Sequence, residues 1–172
     1  MTTTNWTARV PAADPPMDVG NSWNITHTLA NSPAAFTSFV RFLSHLGRHS
    51  ELPRDVREAV ILSVAGRLGA AYEWGRHVPA ALAAGISQEA IRSLRGGDVS
   101  GLEPLGATAA EYAVAVEARC VDDALWQRTA ESFTTSQMVE LTMYAAFYGL
   151  VARVADALQI PLDDDNGGLA DP

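Results

Sequence analysis

The stretch Gly69-Ala-Ala-Tyr-Glu-Trp-Gly-Arg-His77 gathers the side chains of this chain best suited to chemistry. On a helix, Ala70, Glu73 and His77 stand at i, i+3 and i+7 and share one face. Glu73 and His77 are four apart and can touch, and a carboxylate beside an imidazole orients the ring and supports its use as a base. Glu73 also falls in the first turn after Gly69, where the helix dipole favours its ionised form. Glu58 lies in the preceding helical segment on the face of Ile61, Leu62 and Ala65. An acid on such a face is usually paired or functional, because burying a lone charge is expensive. His77, Glu73 and Glu58 are therefore the candidate catalytic residues. The competing reading is a solvated Glu–His pair with no function, which the spacing alone also allows.

Around these three stand residues that could bind a substrate. Tyr72 and Trp74 are candidate pocket walls, or else core or interface aromatics. Arg67 and Arg76 could each grip a substrate carboxylate bidentately, or bridge Glu58 or a neighbouring subunit. His45 and His49, four apart, could clip a metal, but no third ligand is evident and HExxH is absent, so no metal is expected. Ser44, Ser63 and Ser136 sit in no nucleophile elbow. No GxGxxG or GxxxxGK[ST] segment is present to cradle a nucleotide cofactor, and no cofactor is expected.

Composition removes whole classes of function. The formal charge is -8, and no basic stripe interrupts it, so nucleic acid and anionic membrane surfaces are unfavourable partners. All 12 basic residues are arginines. Without lysine there is no Schiff base, which excludes pyridoxal-phosphate and lysine-aldolase mechanisms. Cys120 is the single cysteine, so no intrachain disulfide or CxxC pair can form, and a reducing compartment fits. The first residues have neither a basic nor an apolar region of the kind found in signal peptides, and no stretch looks long enough to span a membrane. The cytoplasm is the expected location. A hydrophobic content of 48% is somewhat rich for a small monomer and leans towards apolar area buried between subunits.

The elements that must hold these side chains are all helical. Residues 1–21 read as an irregular arm broken by Pro11, Pro15, Pro16 and Gly20. A short helix capped at Ser22 or Asn24 ends near Ala30, and Ser32-Pro33 opens a second. Pro53 starts a third, running to about Leu68, whose Ala59–Ala65 segment is apolar all round and so predicted to be buried on every side. Gly69 separates it from a fourth helix, from about Ala71 to Ala84. Ser87 caps a short fifth. Thr108 and Glu111 resemble a capping box for a sixth ending near Ala118. Asp122 caps a seventh reaching Phe133, and the eighth runs from about Ser136 to Ile160, stopped by Pro161. The prediction is a single all-α domain of about eight helices over residues 22–162, with a frayed acidic tail at 163–172.

The segment LPRDVREAVILSVAGRLGAAYEWGRHVPAALAAGIS resembles the carboxymuconolactone decarboxylase and alkylhydroperoxidase D-like family, and a looser likeness extends over about residues 24–162. The peroxidase branch carries E-x11-C-x2-C-x3-H. On this chain the glutamate is Glu58, the two cysteine positions hold Ala70 and Glu73, and the histidine is His77. The decarboxylase branch has a glutamate four residues before its histidine, as in Glu73-x3-His77. The resemblance implies an alkylhydroperoxidase-like helical fold and a homo-oligomer between dimer and hexamer. It also implies that His27, on the early helix, packs near the site. Dithiol peroxide reduction should be missing. The expected function is a cofactor-free lyase or isomerase moving a proton on a small, cyclic or conjugated acid. A non-catalytic binding or assembly protein and a thiol-independent antioxidant protein are the other readings.

Overall fold

A computed structural model describes residues 7–163, and these form eight helices and no strand. They are α1 (Asn24–Leu29), α2 (Pro33–His49), α3 (Arg54–Leu68), α4 (Ala71–Ala83), α5 (Gln88–Arg95), α6 (Pro104–Ala118), α7 (Asp123–Ala130) and α8 (Thr135–Leu158). The predicted outer arm and tail at 1–6 and 164–172 lie outside the described residues.

Helix α3 is the centre of the fold. Every residue from Ala59 to Ala65 is buried, because α4, α5, α6 and α8 all pack around it. One chain alone therefore covers this segment, and its apolar girth needs no second subunit. On one side Val56, Val60, Ile61 and Val64 meet Tyr112 of α6 and Leu141 and Ala145 of α8. On the other, Leu62 and Ala65 meet Trp74 and Val78 of α4 and Ile91 and Leu94 of α5. Burying each such large aliphatic side chain contributes about 1.5–3 kcal/mol, which makes this double-sided helix the main source of cohesion.

The break between α3 and α4 directs the candidate site. Gly69 takes the left-handed conformation, φ 65°, that ends α3. The Ala70 amide then bonds back to the Ala65 carbonyl at 2.9 Å, and α4 starts again within two residues. A short connection of this kind lays α4 back along α3, with His77 returning beside Glu58.

The caps follow the predicted chemistry at Ser87 and Asp122, whose side chains accept from the Ala90 and Leu125 amides. They differ elsewhere. Thr108 lies inside α6, which begins at Pro104, and its hydroxyl donates to the Pro104 carbonyl. The capping box belongs to α8, where Thr134 and Gln137 bond reciprocally. Seventh-helix geometry stops at Ala130, not Phe133. Helix α8, at 24 residues and mean hydropathy 1.2 over its most apolar window, does reach a membrane-spanning length, contrary to expectation. Of that window 56% is buried within the fold, as the core helix of a helical domain requires.

Asp163 also departs from expectation. The sequence assigns it to a frayed tail, yet it is buried. Its carboxylate accepts from the Asn24 amide at 2.7 Å and from the Tyr72 hydroxyl at 2.8 Å, and Arg76 Nε stands 3.7 Å away. The Asn24 side chain in turn donates to the Pro161 and Leu162 carbonyls. This network ties the residues after α8 to α1 and to α4.

Candidate functional site

Three helices meet at His77. Its Nδ1–H donates to Glu58 Oε2 at 2.8 Å across the α3–α4 interface. The side chains of His77 and Glu58 retain 21% and 12% exposure, so the pair is mostly enclosed but reachable. Tyr148 of α8 sets its ring edge against the imidazole, with centroids 5.0 Å apart and planes at 89°. Tyr144 stacks on Tyr148 one turn earlier. Burial, and then the negative charge of Glu58 and of Glu73, hold the Tyr148 phenol well above its ordinary value, so it stays neutral. Both carboxyl groups thus lie within electrostatic reach of one tyrosine.

Glu73 does not pair with His77. It is 3% exposed, and neither carboxyl oxygen has a hydrogen-bond partner. Local spacing permits the contact, but the imidazole turns across to α3 and meets a carboxylate that is better placed. Burial pushes the Glu73 carboxyl up to about 7, and the charge of Asp156 adds to that rise. Desolvation therefore outweighs the helix dipole of the first turn, and near neutrality much of Glu73 is a protonated acid able to donate. The unfolded carboxyl titrates near its ordinary value and the folded one near 7, so the folded state binds the extra proton between them. The stability linked to that proton is fully present below the unfolded value and is lost as pH rises through about 7. The melting temperature should fall between pH 5 and 8, and Glu73→Gln should flatten that fall. An unchanged slope in the variant would count against a buried protonated Glu73.

The remaining sequence candidates lie elsewhere. Tyr72 is buried and committed to Asp163; burial and that carboxylate keep its hydroxyl protonated as a donor. Arg76 stacks over Trp23 at 4.2 Å and faces Asp163, so it fastens α4 to the residues just before α1 and just after α8. His27 Nδ1 bonds the Ala13 carbonyl oxygen and holds the N-terminal arm. Trp74 packs into the α3–α5 side of the core beneath Arg95. Arg67 is exposed and lies about two and a half turns beyond Glu58, on the opposite side of α3. His45 and His49 stack on each other at the end of α2. Among the described residues, no three His, Cys, Asp or Glu side chains converge as metal ligands. Two contributors escape a reading of the sequence. Tyr148 is signalled only by the Tyr144–Tyr148 spacing on an apolar helix, and Asp163 by nothing beyond its position after Pro161-Leu162.

Residues 33–116 match the carboxymuconolactone decarboxylase family. Over that stretch the chain is similar to that family. Set against that family's peroxidase branch, this chain has Ala70 and Glu73 at the thiol positions, and the single cysteine, Cys120, is exposed just beyond the far end of α6. Solved structures share the all-helical fold. A peroxidase-related protein from Ralstonia eutropha JMP134, described as an alkylhydroperoxidase AhpD core, superposes with a TM-score of 0.76. It is 19% identical over 86% of this chain and 80% of its own. A second peroxidase-related protein, from Silicibacter sp. TM1040, gives 0.73 at 15% identity, over 84% of this chain and 80% of that one. A form of the debrominase Bmp8 in complex with 2,3,4-tribromopyrrole gives 0.71 at 13% identity, over 83% and 78%. At these identities the likeness is one of fold. No curated protein matches the sequence.

Likeness to that family combined with the absence of both thiols makes peroxide chemistry testable. Purified protein should consume no organic hydroperoxide with a dithiol donor, and Cys120→Ser should behave as wild type, since no second thiol can resolve a sulfenic acid. Consumption that disappears in Cys120→Ser would reverse this expectation.

Proposed function

We propose that this protein is a cofactor-free lyase or isomerase of the carboxymuconolactone decarboxylase family. It would move a proton on a small, cyclic or conjugated acid. The observation that carries the reading is the 2.8 Å bond from His77 Nδ1–H to Glu58 in a mostly enclosed, still reachable setting. Glu58 fixes the tautomer and ring orientation, which leaves Nε2 as the basic nitrogen and supplies a counter-charge when the ring takes a proton. A conjugated carbonyl in the substrate would accept the electron pair as an enolate, removing the need for an external sink. Protonated Glu73 could then donate a hydrogen bond to the developing oxyanion, in the manner of a carboxylic acid kept neutral by an apolar site. The small ring bound to the debrominase relative supports a cyclic substrate class. The deciding experiment is turnover of a panel of small conjugated acids by wild type and by His77→Gln.

A homo-oligomer also forms part of this reading. Val139, Met143 and Leu150 are exposed along one side of α8, and a groove lined by Ala146, Leu150, Val154, Ala157 and Leu158, with Arg153 as its charged residue, continues the stripe. An apolar surface of this extent is best covered by another copy of the chain. Light scattering at micromolar concentration should report a mass above the 18.3 kDa of one chain. A strictly monomeric mass would remove this element. The single Cys120 suits a reducing compartment such as the cytoplasm.

A further inference from the structure

A cleft of about 410 Å³ opens between α3, α5 and α6, on the side of α3 away from Glu58 and His77. Gly66 makes the α3–α5 approach possible. A Cβ there would meet the Leu94 carbonyl oxygen at 3.0 Å, Arg95 Cα at 3.2 Å and the Trp74 ring at 3.3 Å. The close approach brings Arg67 of α3 and Arg95 of α5 to the wall of one cleft, with Leu94, Val99 and Val114 as apolar surface. Arg95 and Gly66 also line an adjoining hollow of about 220 Å³ walled by Trp74. The Arg95 guanidinium lies over the Trp74 ring at 4.5 Å. Stacking fixes the plane of the fork while leaving its N–H edges to donate, which suits an in-plane carboxylate. Neither Arg67 nor Arg95 is ion-paired among the described residues. Glu111 is the acid on the cleft wall, and it faces Arg128 at 3.4 Å. Ser63 is no competing donor to the ligand, because its hydroxyl is spent on the Ala59 carbonyl.

We propose that this cleft binds a small carboxylate with an apolar body, gripped by Arg95 and Arg67 against the Leu94–Val99–Val114 surface. The site is separate from the Glu58–His77 pair and stands or falls independently of the proton-transfer reading. Calorimetric or NMR titration with benzoate tests it, with benzamide at equal ionic strength as the neutral control. Benzoate should bind and benzamide should not. Each of Arg95→Gln and Arg67→Gln should weaken benzoate by about tenfold or more, the usual cost of losing a charge-assisted hydrogen bond. Arg95→Lys, which keeps the charge but loses the fork, should also weaken it. Arg67 is exposed, so its variant leaves the fold intact and keeps the test decisive even if Arg95 variants unfold. His77→Gln should bind benzoate as wild type does. Equal binding of benzamide, no binding of benzoate at millimolar concentration, or benzoate binding that both Arg→Gln variants retain would overturn the proposal. Loss of binding in His77→Gln would also overturn it, by moving the carboxylate to the other side of α3.

Discussion

His77→Gln should lower turnover by about 10²–10⁴-fold, the span that a positioned general acid–base group typically contributes. The substitution keeps a polar side chain of similar reach, so the packing around position 77 and the α4 backbone should be preserved. What it removes is a group that can accept and release a proton while staying bonded to Glu58 through its other nitrogen. No neighbouring group replaces it. Tyr148 is held neutral by burial and by the two nearby carboxyls, and Glu73 is a protonated acid in much of the population near neutrality. Glu58→Gln should cost less, because a glutamine oxygen can still accept from Nδ1 and keep the ring oriented while the counter-charge is lost. The ratio of the two effects separates proton carriage from ring positioning. Measuring kcat and KM for both variants, with circular dichroism as the check on folding, distinguishes them.

Asp163→Ala should destabilise the fold more than His77→Gln, Glu58→Gln or Glu73→Gln, by about 2–4 kcal/mol, the cost of stranding buried donors and a nearby cation. The wild-type carboxylate satisfies the Asn24 amide and the Tyr72 hydroxyl together and faces Arg76. Its removal leaves two donors in a dry interior and frees the α4 residues on either side of Glu73. For a chain of this length that corresponds to a fall in melting temperature of roughly 5–15 °C. Asp163→Asn retains one acceptor oxygen and should fall between the alanine variant and wild type. Thermal unfolding followed by circular dichroism measures both. An alanine variant that melts with wild type would show that the residues after α8 contribute little to the fold.

His77 and Asp163 also mark where the sequence is readable and where it is not. Helix existence and most boundaries follow from local chemistry: Pro33, Gly69, Ser87, Asp122 and Pro161 act within one turn of themselves. The Glu58, Glu73 and His77 set is legible as well, because spacing along two consecutive helices puts them on neighbouring faces. Their pairing is not. Whether His77 meets Glu73 four residues away or Glu58 nineteen residues away depends on how α4 lies against α3 after the Gly69 turn. That packing is tertiary, and local spacing cannot express it. The same holds for the protonation of Glu73, where the dipole effect is local and the larger desolvation effect comes from helices distant in sequence. Tyr148 and Asp163 reach the site and its support from the far end of the chain, the latter across 91 residues to Tyr72. Arg67, Arg76, Tyr72, Trp74 and His27 stand close to the site in sequence or by family likeness, but a helix presents adjacent residues to different neighbours.

The most direct test of the central claim is deuterium incorporation. Wild type and His77→Gln would be incubated in D₂O with a panel of small cyclic and conjugated carboxylic acids, and the acids followed by proton NMR and mass spectrometry. Proton transfer by His77 predicts that at least one acid gains solvent deuterium at carbon, or loses its carboxyl group, with wild type and not with His77→Gln. Turnover retained in a folded His77→Gln variant would contradict it, as would a panel in which no acid gains deuterium or loses its carboxyl group with wild type.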